Sequence, residues 1–354
     1  MRVTARYAAS VEVEIAALLD RFAAEFDAGF HLSPFGNTVF VQLREYALRP
    51  GKRLRGCLAA AAYDSAAGTD AGRPGIVLGA ALELLHNYLL TVDDVMDRAA
   101  VRRGGPALQR QYMRGERGGM SAHSADMLAV CAGLVVQHAA TAALLELPAP
   151  AGHIAAALTA IHRNFVATGF GQMDDLAQRG SAALDEQSIL RTLRLKTSYY
   201  TVVGPIQAGF SLAGRTEAQT LQAVQRFGEA AGTAFQLQDD YLDVFGTPAV
   251  LGKQPGGDLR DGTPTLLLHY AMARAAPQQR ETLQRIVGKR RAGKADICAA
   301  RDIMVTTGAA AAVQHTAREY AAQARQELAD GAFGAGDLRN ILGELLDFIV
   351  QPGA

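Results

Sequence analysis

Leu84-Leu85-His86-Asn87-Tyr88-Leu89-Leu90-Thr91-Val92-Asp93-Asp94-Val95-Met96-Asp97, followed by Arg102-Arg103-Gly104-Gly105-Pro106, is the stretch around which the chain reads as organised. An apolar run of helical periodicity closes in three carboxylates. Asp93 and Asp97 are four residues apart, so on a helix they share one face, and His86 falls near the same stripe. Gly104-Gly105-Pro106 predicts the helix stop, which leaves the carboxylates in its C-terminal half. There the macrodipole is negative, and carboxylates are disfavoured unless a cation compensates. Hard oxygen donors with no cysteine nearby suit Mg2+. Taken alone, such a cluster reads better as a solvated acidic helix end capped by arginines, because acidic clusters are common.

A second copy changes that reading. Phe235-Gln236-Leu237-Gln238-Asp239-Asp240-Tyr241-Leu242-Asp243 also closes an apolar helix, about 145 residues further on, and is also followed by a Gly/Pro-rich break. If the two ends face each other they form a carboxylate-walled cleft. Six carboxylates brought that close repel unless metal holds them, and a metal-clamped polyphosphate is the natural occupant.

Composition sets the frame. With 354 residues, 49% apolar and 20% charged, the chain can bury a large core. A formal net charge of zero argues against nucleic acid as the main partner. Cys57, Cys131 and Cys298 are scattered and odd in number, which fits a reducing cytoplasm and neither a disulfide framework nor a zinc site. The N-terminus carries no signal-peptide h-region, and no uninterrupted apolar run reads as a membrane span. Helix-forming residues dominate nearly throughout, with predicted helices at 12–30, 39–48, 52–67, 76–97, 121–145, 154–176, 187–213, 218–244 and 265–275 and a helical tail to about 350. There is no fixed-period repeat and no linker, so residues 1–354 read as one all-α domain.

The paired aspartate motifs, with Arg102-Arg103-Gly104-Gly105-Pro106, resemble those of the trans-isoprenyl diphosphate synthases, or polyprenyl synthetases, over roughly residues 50–264. The resemblance implies a bundle of roughly 12 to 14 helices around a central apolar cavity, the isoprenoid synthase fold. It implies condensation of isopentenyl diphosphate with an allylic diphosphate. Three Mg2+ ions, replaceable by Mn2+, would be held by Asp93, Asp97 and Asp239, with Asp94, Asp240 and Asp243 in support. In Gly51-Lys52-Arg53-Leu54-Arg55, Lys52 and Arg55 would bind isopentenyl diphosphate together with His86 and Arg103, and Arg102 would turn to the allylic substrate. Gln172 and Asp175 match a Gly-Gln-x-x-Asp element. Lys196, Thr197 and Gln236 would serve the leaving diphosphate and the allylic cation, with a locally loosened Lys196 carbonyl. The Gly/Pro-rich stretch 246–264 reads as a lid, and Lys253 as a phosphate-binding lysine. Two departures stand out: Thr263 replaces a lysine usual after the lid's Asp-Gly step, with Arg260 a candidate substitute, and Val92 stands where many members have His.

Tyr88 and Leu89, five and four residues before Asp93, would set the tunnel floor, and an aromatic at the first with none at the second implies a C20, geranylgeranyl, product. A C15 or C25 synthase, a class I terpene cyclase and a non-catalytic subunit of a heteromeric synthase remain alternatives. The family resemblance also implies a homodimer through the Ala-rich helix 121–145.

Overall fold

A computed structural model describes residues 2–70, 72–113, 120–179, 185–247 and 254–350. In chain order the helices are α1 (Arg2–Phe30), α2 (Pro34–Leu48), α3 (Leu54–Ala67), α4 (Arg73–Met96), α5 (Leu108–Met113), α6 (Ala122–Leu145), α7 (Ala151–Gln178) and α8 (Glu186–Leu193). A π-helical segment, Arg194–Val203, leads into α9 (Gly204–Leu212), and α10 is Ala218–Phe245. Then come α11 (Gly257–Asp261), α12 (Leu266–Arg274), α13 (Pro277–Ile286), α14 (Lys294–Thr306), α15 (Ala309–Ala329) and α16 (Asp337–Val350). Two-residue strands β1 (Val101–Arg102) and β2 (Gly105–Pro106) form the only sheet among the described residues. The protein is all-α, 81% helical, so its core is built by helix packing alone.

The chain divides into two compact units, Met1–Thr159 with Pro205–Thr216, and Ala160–Gly204 with Glu217–Ala354. In the first unit α4 packs on α1, α3 and α6. Pro74 at its first turn starts it without wasting a donor, and the Asp97 N–H closes it on the Asp93 carbonyl. It packs against α3 at a glycine pair. A Cβ on Gly79 would lie 2.6 Å from the Gly56 carbonyl oxygen, and one on Gly56 would lie 2.9 Å from that of Gly79. Helices α4 and α6 have the length and mean hydropathy of a membrane span, which the sequence reading did not foresee. In α4 78% of the most apolar window is buried inside the protein, and in α6 44% is.

In the second unit α10 is flanked by α15 and the π-helical segment. Gly228 and Gly232 make the close approach possible. A Cβ on them would meet Val203 at 2.5 Å and Ser198 at 2.4 Å. A separate apolar cluster, including Leu237, Leu266, Leu283, Ile297 and Met304, carries α11 to α14.

Several boundaries differ from expectation. α1 starts at Arg2, α4 ends at Met96 well before Gly104, and the stretch 187–213 is three segments. The segment 101–106 is a hairpin because Arg103 and Gly104 both have positive φ, 49° and 76°, as a two-residue primed turn requires.

The glycine contact is testable. Gly79→Ala should lower stability by about 1–3 kcal/mol, because its nearest obstacle is backbone. Gly343→Ala in α16, where a Cβ meets nothing within 4 Å, should not lower it. Urea unfolding of both checks the pair; equal stabilities would contradict the packing.

Candidate active site

At the end of α4 the three aspartates have different fates. Asp94 is fully buried and accepts hydrogen bonds from Tyr46 Oη (2.9 Å) and from Arg102 Nε (2.7 Å) and Nη2. The Arg102 Nη2 also reaches Asp93 Oδ2 at 3.3 Å. Burial disfavours charge on Arg102, but Asp94 and Asp93 outweigh it and hold the guanidinium more firmly protonated than usual. Burial and then Asp94 push the Tyr46 phenol well up, so it stays a donor. Asp94 thus anchors Arg102, while Asp93 and Asp97 stay partly exposed, on one face and one turn apart. Tyr46 escaped the sequence reading; only its place shortly before Gly51-Lys52 could have pointed to it.

Behind these carboxylates lies a crowd of cations. Arg103 carries its positive φ with its guanidinium against the Gly51 backbone, where a Cβ on Gly51 would be 3.3 Å from Arg103 Cζ. Burial, then Arg53 and Arg55, lower the Arg103 pKa against the pull of Glu83. His86 is buried on α4, and its pKa falls well below the usual value through burial and then Arg55, Arg103, Arg102 and Arg53. It is therefore neutral at pH 7, able to donate from one ring nitrogen and accept at the other. Arg53 departs from the other basic residues of its turn. It caps α3 in left-handed geometry, is 1% exposed, and turns inward to Glu12 (3.0 Å) and Glu83 (3.8 Å). The remaining cations, with neutral His86, form a place where an anion with several oxygens would relieve repulsion.

The second unit repeats the pattern. Asp239 is exposed, whereas Asp240 and Asp243 are buried. Gln236 Nε2 donates to Asp240 Oδ1 (2.7 Å), and Thr197 Oγ1 donates to Gln236 Oε1 (2.8 Å). Burial raises the Asp240 pKa to about 7, opposed by the Gln236 bond and reinforced by Asp239 and Asp243. Asp243 accepts from the Asp258 N–H (3.0 Å), and its carbonyl from the Gly256 N–H (2.7 Å). Asp243 thereby orders the start of α11, so the later part of the expected lid is helix. Lys253 lies outside the described residues. Arg260 donates to the carbonyls of Ala292 (3.1 Å) and Pro255 (2.9 Å), which ties it to the backbone around α11.

Lys196 and Thr197 sit in the π-helical segment, matching the expected local loosening. Lys196 Nζ pairs with Asp175 Oδ2 at 2.9 Å, and Arg179 reaches the same oxygen at 3.1 Å. Gly171 of α7 admits that backbone, because a Cβ there would be 2.4 Å from Lys196 N. Gln172, beside it, is half-buried. In the first unit the half-buried Tyr88 lies against α6 at Gly133, whose Cβ would be 3.0 Å from the ring, and Leu89 follows it, half-buried.

Among the described residues no three His, Cys, Asp or Glu side chains converge as a metal cage. Mg2+ does not demand one, since it commonly takes one or two carboxylates and completes its octahedron with water and phosphate oxygens. Asp93 and Asp97, with hard oxygens on one face, fit that donor set; Asp239 adds an exposed third carboxylate in its own unit.

The family model described as polyprenyl synthetase matches residues 37–304. A geranylfarnesyl diphosphate synthase of Aeropyrum pernix is 31% identical over 85% of this chain and 90% of its own. The crystal structure of a Corynebacterium glutamicum geranylgeranyl pyrophosphate synthase, complexed with isoprenyl diphosphate and magnesium, superposes with a TM-score of 0.89 at 26% identity over 98% of both chains. A Caulobacter crescentus polyprenyl synthase, complexed with calcium and isoprenyl diphosphate, gives 0.79 at 29% identity over 99% of this chain and 95% of that one.

Neutral buried His86 has a pH signature. Its folded pKa is depressed, so between that value and about 6.5 the unfolded chain binds more protons and stability falls as pH falls. Urea unfolding at pH 7.5 and 5.5 should show His86→Gln losing less than wild type over this interval, by about 1 kcal/mol. Parallel losses would contradict a neutral His86.

Proposed function

This chain belongs to the polyprenyl synthetase family, and from that premise we propose that it condenses isopentenyl diphosphate with an allylic diphosphate to give geranylgeranyl diphosphate. That it is a polyprenyl diphosphate synthase, of a family that uses isoprenyl diphosphates and a divalent metal, follows from the family. The substrate roles of its own residues, the C20 product and the three Mg2+ ions are our reading.

The observation that carries the reading is the cation cluster around neutral His86 beside a separately anchored Arg102. Lys52, Arg55, His86 and Arg103 hold isopentenyl diphosphate, with His86 giving hydrogen bonds without adding a repelling charge. Arg102, Lys196 and Lys253 are assigned to the allylic diphosphate. Asp93, Asp97 and Asp239 would hold the metal, and Mg2+ bound there would supply Lewis-acid stabilisation of the departing diphosphate. The allylic C–O bond breaks and its electron pair leaves with diphosphate. Thr197 Oγ, Gln236 and the Lys196 carbonyl in its π turn lie by the resulting allylic cation and stabilise it electrostatically. The double bond of isopentenyl diphosphate then forms the new C–C bond, and the released diphosphate takes the proton. Gln172 and Asp175 support this wall, Asp175 through Lys196.

The relatives' names carry different products, so length rests on this chain's residues. Tyr88 closes the tunnel against α6, and Leu89 leaves the level above it open. The exposed Met127, Leu134 and Val135 on the outer face of α6 suit a homodimer contact, and the cysteine pattern suits the cytoplasm.

Purified protein with Mg2+, isopentenyl diphosphate and C5, C10 or C15 allylic diphosphates should yield mainly C20 product by mass spectrometry, abolished by EDTA. Tyr88→Ala should lengthen the product by at least one five-carbon unit, and Asp93→Asn should cut turnover by about a hundredfold or more. A wild-type product of C15, or one longer than C20, would overturn the length assignment. Cyclised or hydrolysed product from a single allylic diphosphate would overturn the condensation.

A further inference from the structure

Arg49 stands outside every motif described so far. It is 6% exposed, and its guanidinium makes four hydrogen bonds. Nε and Nη2 fork onto the two carboxylate oxygens of Glu45 at 2.9 and 2.8 Å. Nη1 donates to the carbonyls of Arg102 (2.9 Å) and Pro106 (2.8 Å). The group lies over the Tyr46 ring at 5.2 Å, and Gly105 is pressed against its far side, where a Cβ would fall 2.6 Å from Cζ. The Arg49 carbonyl in turn accepts from Arg53 Nη2 at 2.8 Å.

A surface i,i+4 ion pair would need no explanation. A buried guanidinium aimed at two main-chain carbonyls does, because burying that charge is costly unless its donors are all satisfied. The two carbonyls belong to the end of β1, beside the turn, and to the end of β2. With two residues per strand and a left-handed arginine at its turn, that hairpin is too short to hold its own shape. Arg49 supplies the missing fixation. It does so from the residue pair before Gly51, on whose backbone the Arg103 guanidinium rests.

We infer that Arg49 is a positioning residue for the isopentenyl diphosphate subsite: it ties the Arg102–Arg103 hairpin to the Gly51–Arg55 turn and so fixes the spacing of the diphosphate-binding cations. The inference rests on the assignment of Lys52, Arg55, His86 and Arg103 made above. It is selective, because Arg102 has its own anchor in Asp94 and Asp93, whereas Arg103 depends on the hairpin backbone. Loss of Arg49 therefore disturbs isopentenyl diphosphate binding more than allylic binding.

Four proteins test this: wild type, Arg49→Met, Arg49→Lys and Gly105→Ala. Each is measured for KM towards each substrate, for isopentenyl diphosphate affinity by calorimetry without turnover, and for thermal midpoint. Arg49→Met should weaken isopentenyl diphosphate binding about tenfold or more and change the allylic KM less than about threefold. Arg49→Lys should recover part of the loss, since an ammonium reaches one carbonyl but cannot fork. Gly105→Ala keeps every charge and pushes the guanidinium from behind, so it should reproduce the selective loss. If Arg49→Met does not fold, Arg49→Lys and Gly105→Ala decide. Unchanged affinity in the folded variants, or equal losses for both substrates that track the thermal midpoint, would overturn the inference. A wild type that binds isopentenyl diphosphate without condensing it contradicts the proposed function alone, and the calorimetric comparison still decides this one. A wild type that does not bind it overturns both.

Discussion

Asp94 accepting from Tyr46 and from the Arg102 fork is the interaction on which the arrangement of the first unit depends. Carboxylates at the C-terminal end of an apolar helix oppose the macrodipole and, when buried, lose their hydration. The protein resolves this by giving the middle aspartate wholly to internal donors. Arg102 is fixed by the same bonds, and Asp93 and Asp97 stay partly exposed. The second unit solves the same problem with neutral groups: Gln236 for Asp240 and the start of α11 for Asp243, leaving Asp239 exposed. Burial still raises the Asp240 pKa against the opposing Gln236 bond.

The cations obey a matching constraint. Among the described residues four non-glycine residues have positive φ, and three of them, Arg53, Arg98 and Arg103, flank the first motif. Left-handed backbone at a non-glycine residue costs on the order of 1–2 kcal/mol, and it persists only where the surroundings over-determine it. Glu12, Glu83 and the Ala47 and Arg49 carbonyls do this for Arg53, and Arg49 does it for the hairpin that presents Arg103. Positive charge is thereby concentrated while His86 is held neutral. In the second unit the glycines at 171, 228 and 232 let the π-helical segment approach closely enough for Thr197 to reach Gln236.

Much of this was legible in the residues. Helical periodicity located α4 and α10, and the repeated aspartate spacing located both carboxylate clusters, in which Asp93, Asp97 and Asp239 are more exposed than Asp94, Asp240 and Asp243. What escaped was non-local. Tyr46 and Arg49 look like ordinary helix residues until the fold brings Asp94 and the 101–106 hairpin to them, nearly fifty residues or more away in sequence. Arg53 reads as one of three equivalent cations, because only the fold reveals Glu12 and Glu83 beside it. The hairpin was hidden by Gly-Gly-Pro, a strong stop signal that also permits a primed turn. Arg260 carries the right charge for a lysine substitute, and only the fold shows its carbonyl partners.

The division of labour between fixed cations and carboxylates can be measured directly, by titrating the intact protein with isopentenyl diphosphate and, separately, with an unreactive thiodiphosphate analogue of the allylic substrate, each in EDTA and in Mg2+. On the proposed assignment the first ligand is held by side chains, so its affinity should change less than about threefold on removing metal, whereas the second should lose binding in EDTA. Isopentenyl diphosphate binding that vanishes in EDTA as completely as that of the analogue would contradict the assignment of the Arg55, His86 and Arg103 cluster.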